Sequence, residues 1–262
     1  MIAPQHQRVV DRLIDLFKDD PRFPAMIIGG SVAKERALPG SDVDILLIAS
    51  AEEYARRAAN NDFWYVNTEI CDYPGGYAEG KVVDLQFLQD AADHGSEPAR
   101  AAFFRAFVGY SHIPELEALL QRIPVYQDQD QHEKLISFYS QVVVANWLAR
   151  EAEKRKDTYL MTQAVAHMTL YGGRLLLAYN RVLYPYHKWM MYELRHVEKK
   201  PADFIELMEQ LLAQPSKEHA QAFCDCLSTF HDWGVSYDQL IVRFLRDTEW
   251  NWRDGRAPLQ DW

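Results

Sequence analysis

The sequence predicts an α+β fold with two parts, and three observations carry that reading. Short apolar, strand-like runs alternate with helical patterns over roughly the first 120 residues. After Pro124 the strand-like runs stop and long helical patterns take over. Between the two lies a polar stretch, Tyr126-Gln127-Asp128-Gln129-Asp130-Gln131, with no strand character. Mixed strands and helices followed by helices alone point to a sheet-containing domain at 1–124 and a helical one at 125–262.

In chain order, residues 4–19 place Val9, Val10, Leu13, Ile14, Leu16 and Phe17 at near-helical spacing, and Asp19-Asp20-Pro21 ends the pattern. Strand-like runs follow at 25–28, 43–49, 63–70, 81–88 and 105–110, with helical stretches near 31–36, 51–59 and 114–122. The second half reads as helices near 132–156, 159–181, 187–195, 201–213, 217–231 and 235–247, punctuated by Pro185, Pro201 and Pro215. The aromatic, irregular segment Trp250 to Pro258 is expected to pack across this bundle or line a cleft.

Within the first half, Gly29-Gly30-Ser31 follows the apolar run Ala25-Met26-Ile27-Ile28. Glycines there let the backbone approach a phosphate, and a serine can cap the helix that follows. After ten residues come Asp42-Val43-Asp44, opening Asp-Val-Asp-Ile-Leu-Leu-Ile. In a strand both carboxylates leave one face while Val43 and Ile45 leave the other. Two neighbouring carboxylates repel each other, and a hard divalent cation such as Mg²⁺, held by carboxylates and substrate phosphates, relieves that repulsion. Asp84 lies in Lys81-Val82-Val83-Asp84-Leu85-Gln86-Phe87-Leu88, where an unpaired carboxylate among apolar neighbours is costly. It is the expected third acid of a metal site.

The stretch from Gly29 through Lys34 to Ser41-Asp42-Val43-Asp44, with Asp84 downstream, resembles the nucleotidyltransferase superfamily that shares its catalytic fold with DNA polymerase beta. The resemblance implies that Gly29, Gly30, Ser31, Lys34 and Ser41 serve the nucleotide. It implies that Asp42, Asp44 and Asp84 hold Mg²⁺, with Asp84 a third ligand or the base. ATP as co-substrate rests on the same resemblance. Lys34 stands where many members carry arginine, which keeps the charge but not the bidentate fork. The two-part layout is similar to antibiotic nucleotidyltransferases of the kanamycin, streptomycin and lincosamide type. That similarity implies a small hydroxylated acceptor such as an aminoglycoside or lincosamide, and allows a homodimer. In the helical half, Glu151 and Glu153 are candidate acceptor bases, and Lys188 is a candidate for reaching the triphosphate as a point charge. A transferase acting on a protein or tRNA, and a nucleotide-binding module with little catalysis, are the alternatives.

The chain of 262 residues has a formal charge of −10, which argues against an extended nucleic-acid surface. No apolar run approaches the ~20 residues that span a bilayer. Cys71, Cys224 and Cys226 make no disulfide framework, and a cytoplasmic protein is expected. Cys224 and Cys226, two apart on a helix, point their thiols about 200° apart, so zinc is not expected there.

Overall fold

The computed structural model describes residues 1–255 and Leu259. It divides into two compact units, Met1–Val125 and Tyr126–Trp262.

The first unit is a five-stranded mixed sheet with helices on both faces. The elements are α1 (Pro4–Phe17), β1 (Ala25–Ile28), α2 (Gly30–Ala33), β2 (Val43–Ile48), α3 (Ala51–Ala59), β3 (Trp64–Asn67), β4 (Ala78–Val83), α4 (Leu85–His94), α5 (Glu97–Ala102), β5 (Phe107–Ser111) and α6 (Leu116–Arg122). The strand order is β3-β4-β2-β1-β5. β2 and β4 run parallel, and the other pairs are antiparallel. Alternation along the strands splits the side chains between two layers. Met26, Ile28, Val43, Ile45, Leu47 and Val82 pack with Val9, Val10, Leu13 and Phe17 of α1 on one face. Ala25, Ile27, Ile48 and Val83 pack with Leu88, Ala91, Leu116 and Leu120 on the other.

The expected strand at 81–88 is displaced. β4 begins three residues earlier and ends at Val83, and residues 85–94 are helical. The reason is local: Asp84 accepts a hydrogen bond from the Phe87 amide at 2.9 Å, so it caps α4 instead of continuing the strand. α5 had no counterpart in the sequence reading. Its Arg100 is buried and donates to the carbonyls of Gly95, Ala92 and Ile123.

The second unit is helical: α7 (Gln131–Arg155), α8 (Thr158–Tyr179), α9 (His187–His196), α10 (Phe204–Ala213), α11 (Lys217–Phe230), α12 (Tyr237–Phe244), a π-helical turn at Leu245–Glu249, and α13 (Asn251–Asp254). α7 and α8 form a hairpin. Lys156 takes the left-handed conformation at the end of α7, and Asp157 caps α8 by accepting from the Leu160 amide. The core joins Phe138, Val142 and Ala149 of α7 to Leu175 and Leu176 of α8, and to Phe204 and Phe223. Of the aromatic segment from Trp250 to Pro258, Trp250 and Trp252 are exposed, while Arg256, Ala257 and Pro258 lie outside the described residues. No described helix is long and apolar enough to cross a membrane.

Candidate active site

Three neighbouring strands build the site at one end of the sheet. β1 ends at Ile28, and the Gly29 amide donates to the Asp44 carbonyl at 2.9 Å, which holds the Gly29-Gly30-Ser31 turn against β2. Gly30 has φ +61°, and a Cβ at that position would lie 1.6 Å from Asp44 Oδ2. Only glycine fits there, for conformation and for space. Ser31 enters the short helix α2 with its Oγ buried and without a hydrogen-bond partner among the described residues. A buried hydroxyl without a partner costs free energy unless something supplies one.

Asp42 directly precedes β2, and Asp44 lies within it. A tight turn leads in, where Ser41 Oγ accepts from the Leu38 amide and the Ser41 amide donates to the Leu38 carbonyl. The Tyr73 hydroxyl donates to the Ser41 carbonyl at 2.8 Å, and the Val43 amide to the Tyr77 carbonyl at 3.0 Å. The segment before β4 is thereby tied to the approach to β2. In the parallel ladder Asp44 stands opposite Glu79. One carboxylate oxygen each from Asp42, Asp44 and Glu79 lies within 4.8 Å of the other two. The three acids make a strongly negative point. The nearby Tyr77 phenol is pushed above its ordinary range, first by Asp42, then by Glu79, with partial burial and Asp44 adding to the effect.

The acid that the fold brings to Asp42 and Asp44 is thus Glu79, where Asp84 was expected. Asp84 lies five residues further along the same chain, roughly 16 Å at strand rise, at the far end of β4. The signal for Glu79 was present in Ala78-Glu79-Gly80, just after the Pro74-Gly75-Gly76 turn. Starting the strand at Lys81 concealed it. Lys34 is the half-buried C-cap of α2. Ser41 uses its hydroxyl in the turn.

The other candidates belong to the helical unit. Glu151 pairs with Lys154 and Arg155 on its own helix. Glu153 accepts from the Lys217 amide and pairs with its ammonium at 2.7 Å, which holds its carboxyl below the ordinary range. Engaged in this way, Glu153 is a weak base. Lys188 is exposed on the first turn of α9. Cys224 and Cys226 are buried free thiols, each raised chiefly by desolvation, to about 11 and about 12.

Residues 10–89 match the model of a family described as the nucleotidyltransferase domain. The N-terminal unit is a nucleotidyltransferase domain. The match lies within that unit and spans the Gly-Gly-Ser turn and all three acids. A nucleotidyltransferase-like protein from Exiguobacterium sibiricum 255-15 is similar over 96% of this chain and 81% of its own, at 12% identity and a TM-score of 0.49. No curated protein matches the chain. The site has the donor set that suits a hard divalent cation, clustered carboxylate oxygens, with the buried Ser31 hydroxyl on the adjacent turn.

Proposed function

We propose that this nucleotidyltransferase uses Mg²⁺ and transfers a nucleoside monophosphate, AMP from ATP, to a hydroxyl of a small acceptor of the aminoglycoside or lincosamide type. The observation that carries this reading is the convergence of Asp42, Asp44 and Glu79 beside the Gly30–Ser31 turn. The acceptor oxygen bonds to the α-phosphorus, and the bond from that phosphorus to the bridging oxygen breaks, releasing pyrophosphate. Bound divalent cation supplies charge neutralisation at the phosphoryl oxygens and makes the acceptor hydroxyl easier to deprotonate.

The chain's own groups do the rest. Asp42, Asp44 and Glu79 hold the cation. Gly30 keeps the turn close to Asp44, so phosphate and carboxylates share one point. Ser31 Oγ donates to a phosphate oxygen and thereby gains the partner it lacks. Glu79 is the outermost of the three acids in the order β2-β4-β3, and the carboxylate oxygen it does not give to the cation takes the acceptor's proton. Asp84, held in its cap, serves α4.

Pyrophosphate release from each ribonucleoside triphosphate with Mg²⁺, across aminoglycosides and lincosamides, tests the proposal. Release that needs one drug, and that is lost in the Asp42→Ala/Asp44→Ala double variant, supports it. Nucleotide binding without release for any small acceptor removes the antibiotic reading.

A further inference from the structure

One face of the sheet is packed under α4 and α6 on the β1 and β5 side and lies open on the β3 side. The strand registers define what is open. Asp44 stands opposite Glu79, and Glu79 opposite Val66; one row along, Leu46 stands opposite Lys81, and Lys81 opposite Trp64. Residues opposite one another share a face. The Val82 amide donates to the Phe63 carbonyl. The Glu79–Val66 and Lys81–Trp64 pairs therefore fall at the non-hydrogen-bonded positions, where side chains approach most closely. Trp64 is 65% exposed and Val66 44%, although both lie on the face whose inner half is core. Lys81 is exposed and has no ion-pair partner among the described residues.

We propose that Trp64, Val66 and Lys81 form the acceptor subsite, a shelf on which an oxygen-rich sugar ring lies with its hydrocarbon face on the indole and its reacting hydroxyl over Glu79. The inference rests on the nucleotidyl-transfer reading above. In that reaction the attacking and leaving oxygens lie roughly in line across the phosphorus. The Gly30–Ser31 turn follows β1, so pyrophosphate leaves on the β1 side of the carboxylates, and the attacking hydroxyl arrives from the opposite side, over β4 and β3.

The shelf's dimensions suit one ring. Val66 is one strand spacing, about 5 Å, from Glu79, and the Trp64–Lys81 row lies about 7 Å along the strands. Its chemistry selects as well. An exposed indole and a valine offer apolar area to the C–H face of a sugar. The Lys81 ammonium has three donors and no acceptor, so it favours ring or hydroxyl oxygens and repels an amino group at that place. A sugar with few amines is preferred to a densely aminated one.

The test uses the ¹⁵N-labelled full chain, with the Trp64 indole N–H assigned by its loss in Trp64→Phe. The protein is saturated with MgATP and titrated with lincomycin or kanamycin. The expected result is a shift of the Trp64 indole signal, greater affinity for lincomycin, and about tenfold weaker lincomycin binding in Trp64→Ala with MgATP affinity unchanged. Lys81→Met should weaken lincomycin and strengthen kanamycin. Trp64 is exposed, so its replacement leaves the core intact. MgATP binding with no movement of the indole by either sugar overturns the subsite and leaves nucleotidyl transfer standing. Failure of the wild type to bind MgATP overturns the transfer reading, and the subsite with it.

Discussion

At the scale of single residues, the site turns on which acid joins Asp42 and Asp44, and one strand register decides it. Glu79 is brought to Asp44 by the parallel β2–β4 ladder, whereas Asp84 spends its carboxylate on the Phe87 amide. Glu79→Gln should therefore lower pyrophosphate release by at least about 100-fold, the order expected for loss of a positioned proton acceptor or metal-holding acid. Asp84→Ala should keep the activity and lose about 1 kcal/mol of stability, the usual worth of a helix cap, as read by urea unfolding. The reverse pattern would return the third role to Asp84. The Gly-Gly-Ser turn and the Asp-x-Asp pair were legible because they are contiguous and each residue type has one physical use. Glu79 was not, because the apolar run that marks its strand starts only at Lys81, two residues later.

Individual elements add stability that can be read by pH and by volume. Glu53 of α3 is nearly buried and accepts from Arg56 and Arg57 at 2.7–2.8 Å, on a helix capped by Ser50. The Arg56 hydrogen bonds, aided by Arg57, lower its pKa from 4.5 to about 2. A carboxyl depressed in the folded state stabilises above its unfolded value, and that stability is lost as pH falls through the folded one. Glu53→Gln should cost about 1–2 kcal/mol near neutrality, discounted for the exposed Arg56, and the difference from wild type should fade between about pH 4.5 and pH 2. In the helical unit, α8 approaches α11 through Gly172, where an added Cβ would meet Phe223 carbons at 2.7 Å. Phe223 is fully buried against Phe204, at 5.3 Å between ring centroids, so it has little room to yield. Gly172→Ala should destabilise by about 1–2 kcal/mol, because overpacking outweighs the better helix propensity of alanine. An unchanged urea midpoint would contradict that packing.

For the whole molecule, the three acids and the open hydroxyl of Ser31 belong to a site that is incomplete without ligand. Ligand that binds only the native state raises stability by mass action. MgATP at 100 times its dissociation constant should add about 2.7 kcal/mol, seen as a higher melting temperature, and EDTA should abolish the gain. The Asp42→Ala/Asp44→Ala protein should show none of it. The long helices α7 and α8, at 131–155 and 158–179, were legible as periodic runs near 132–156 and 159–181, since helical periodicity accumulates over many residues. α4 and α5 were not legible as helices, although α3, shorter than α4, was. Leu85-Gln86-Phe87-Leu88 carries enough apolar residues to read as the end of a strand, and only the cap at Asp84 distinguishes the two.

The α+β class, the succession of most strands and helices, and the Gly-Gly-Ser and Asp-x-Asp halves of a nucleotidyltransferase motif were readable along the chain. These depend on periodicity and on residues adjacent in the chain. The acid that neighbours Asp42 and Asp44, the burial of Ser31 Oγ, and the open row of Trp64, Val66 and Lys81 emerge from folding alone. The neighbouring acid and the open row follow from cross-strand register, and register is set by how β2, β3 and β4 bury their apolar faces together.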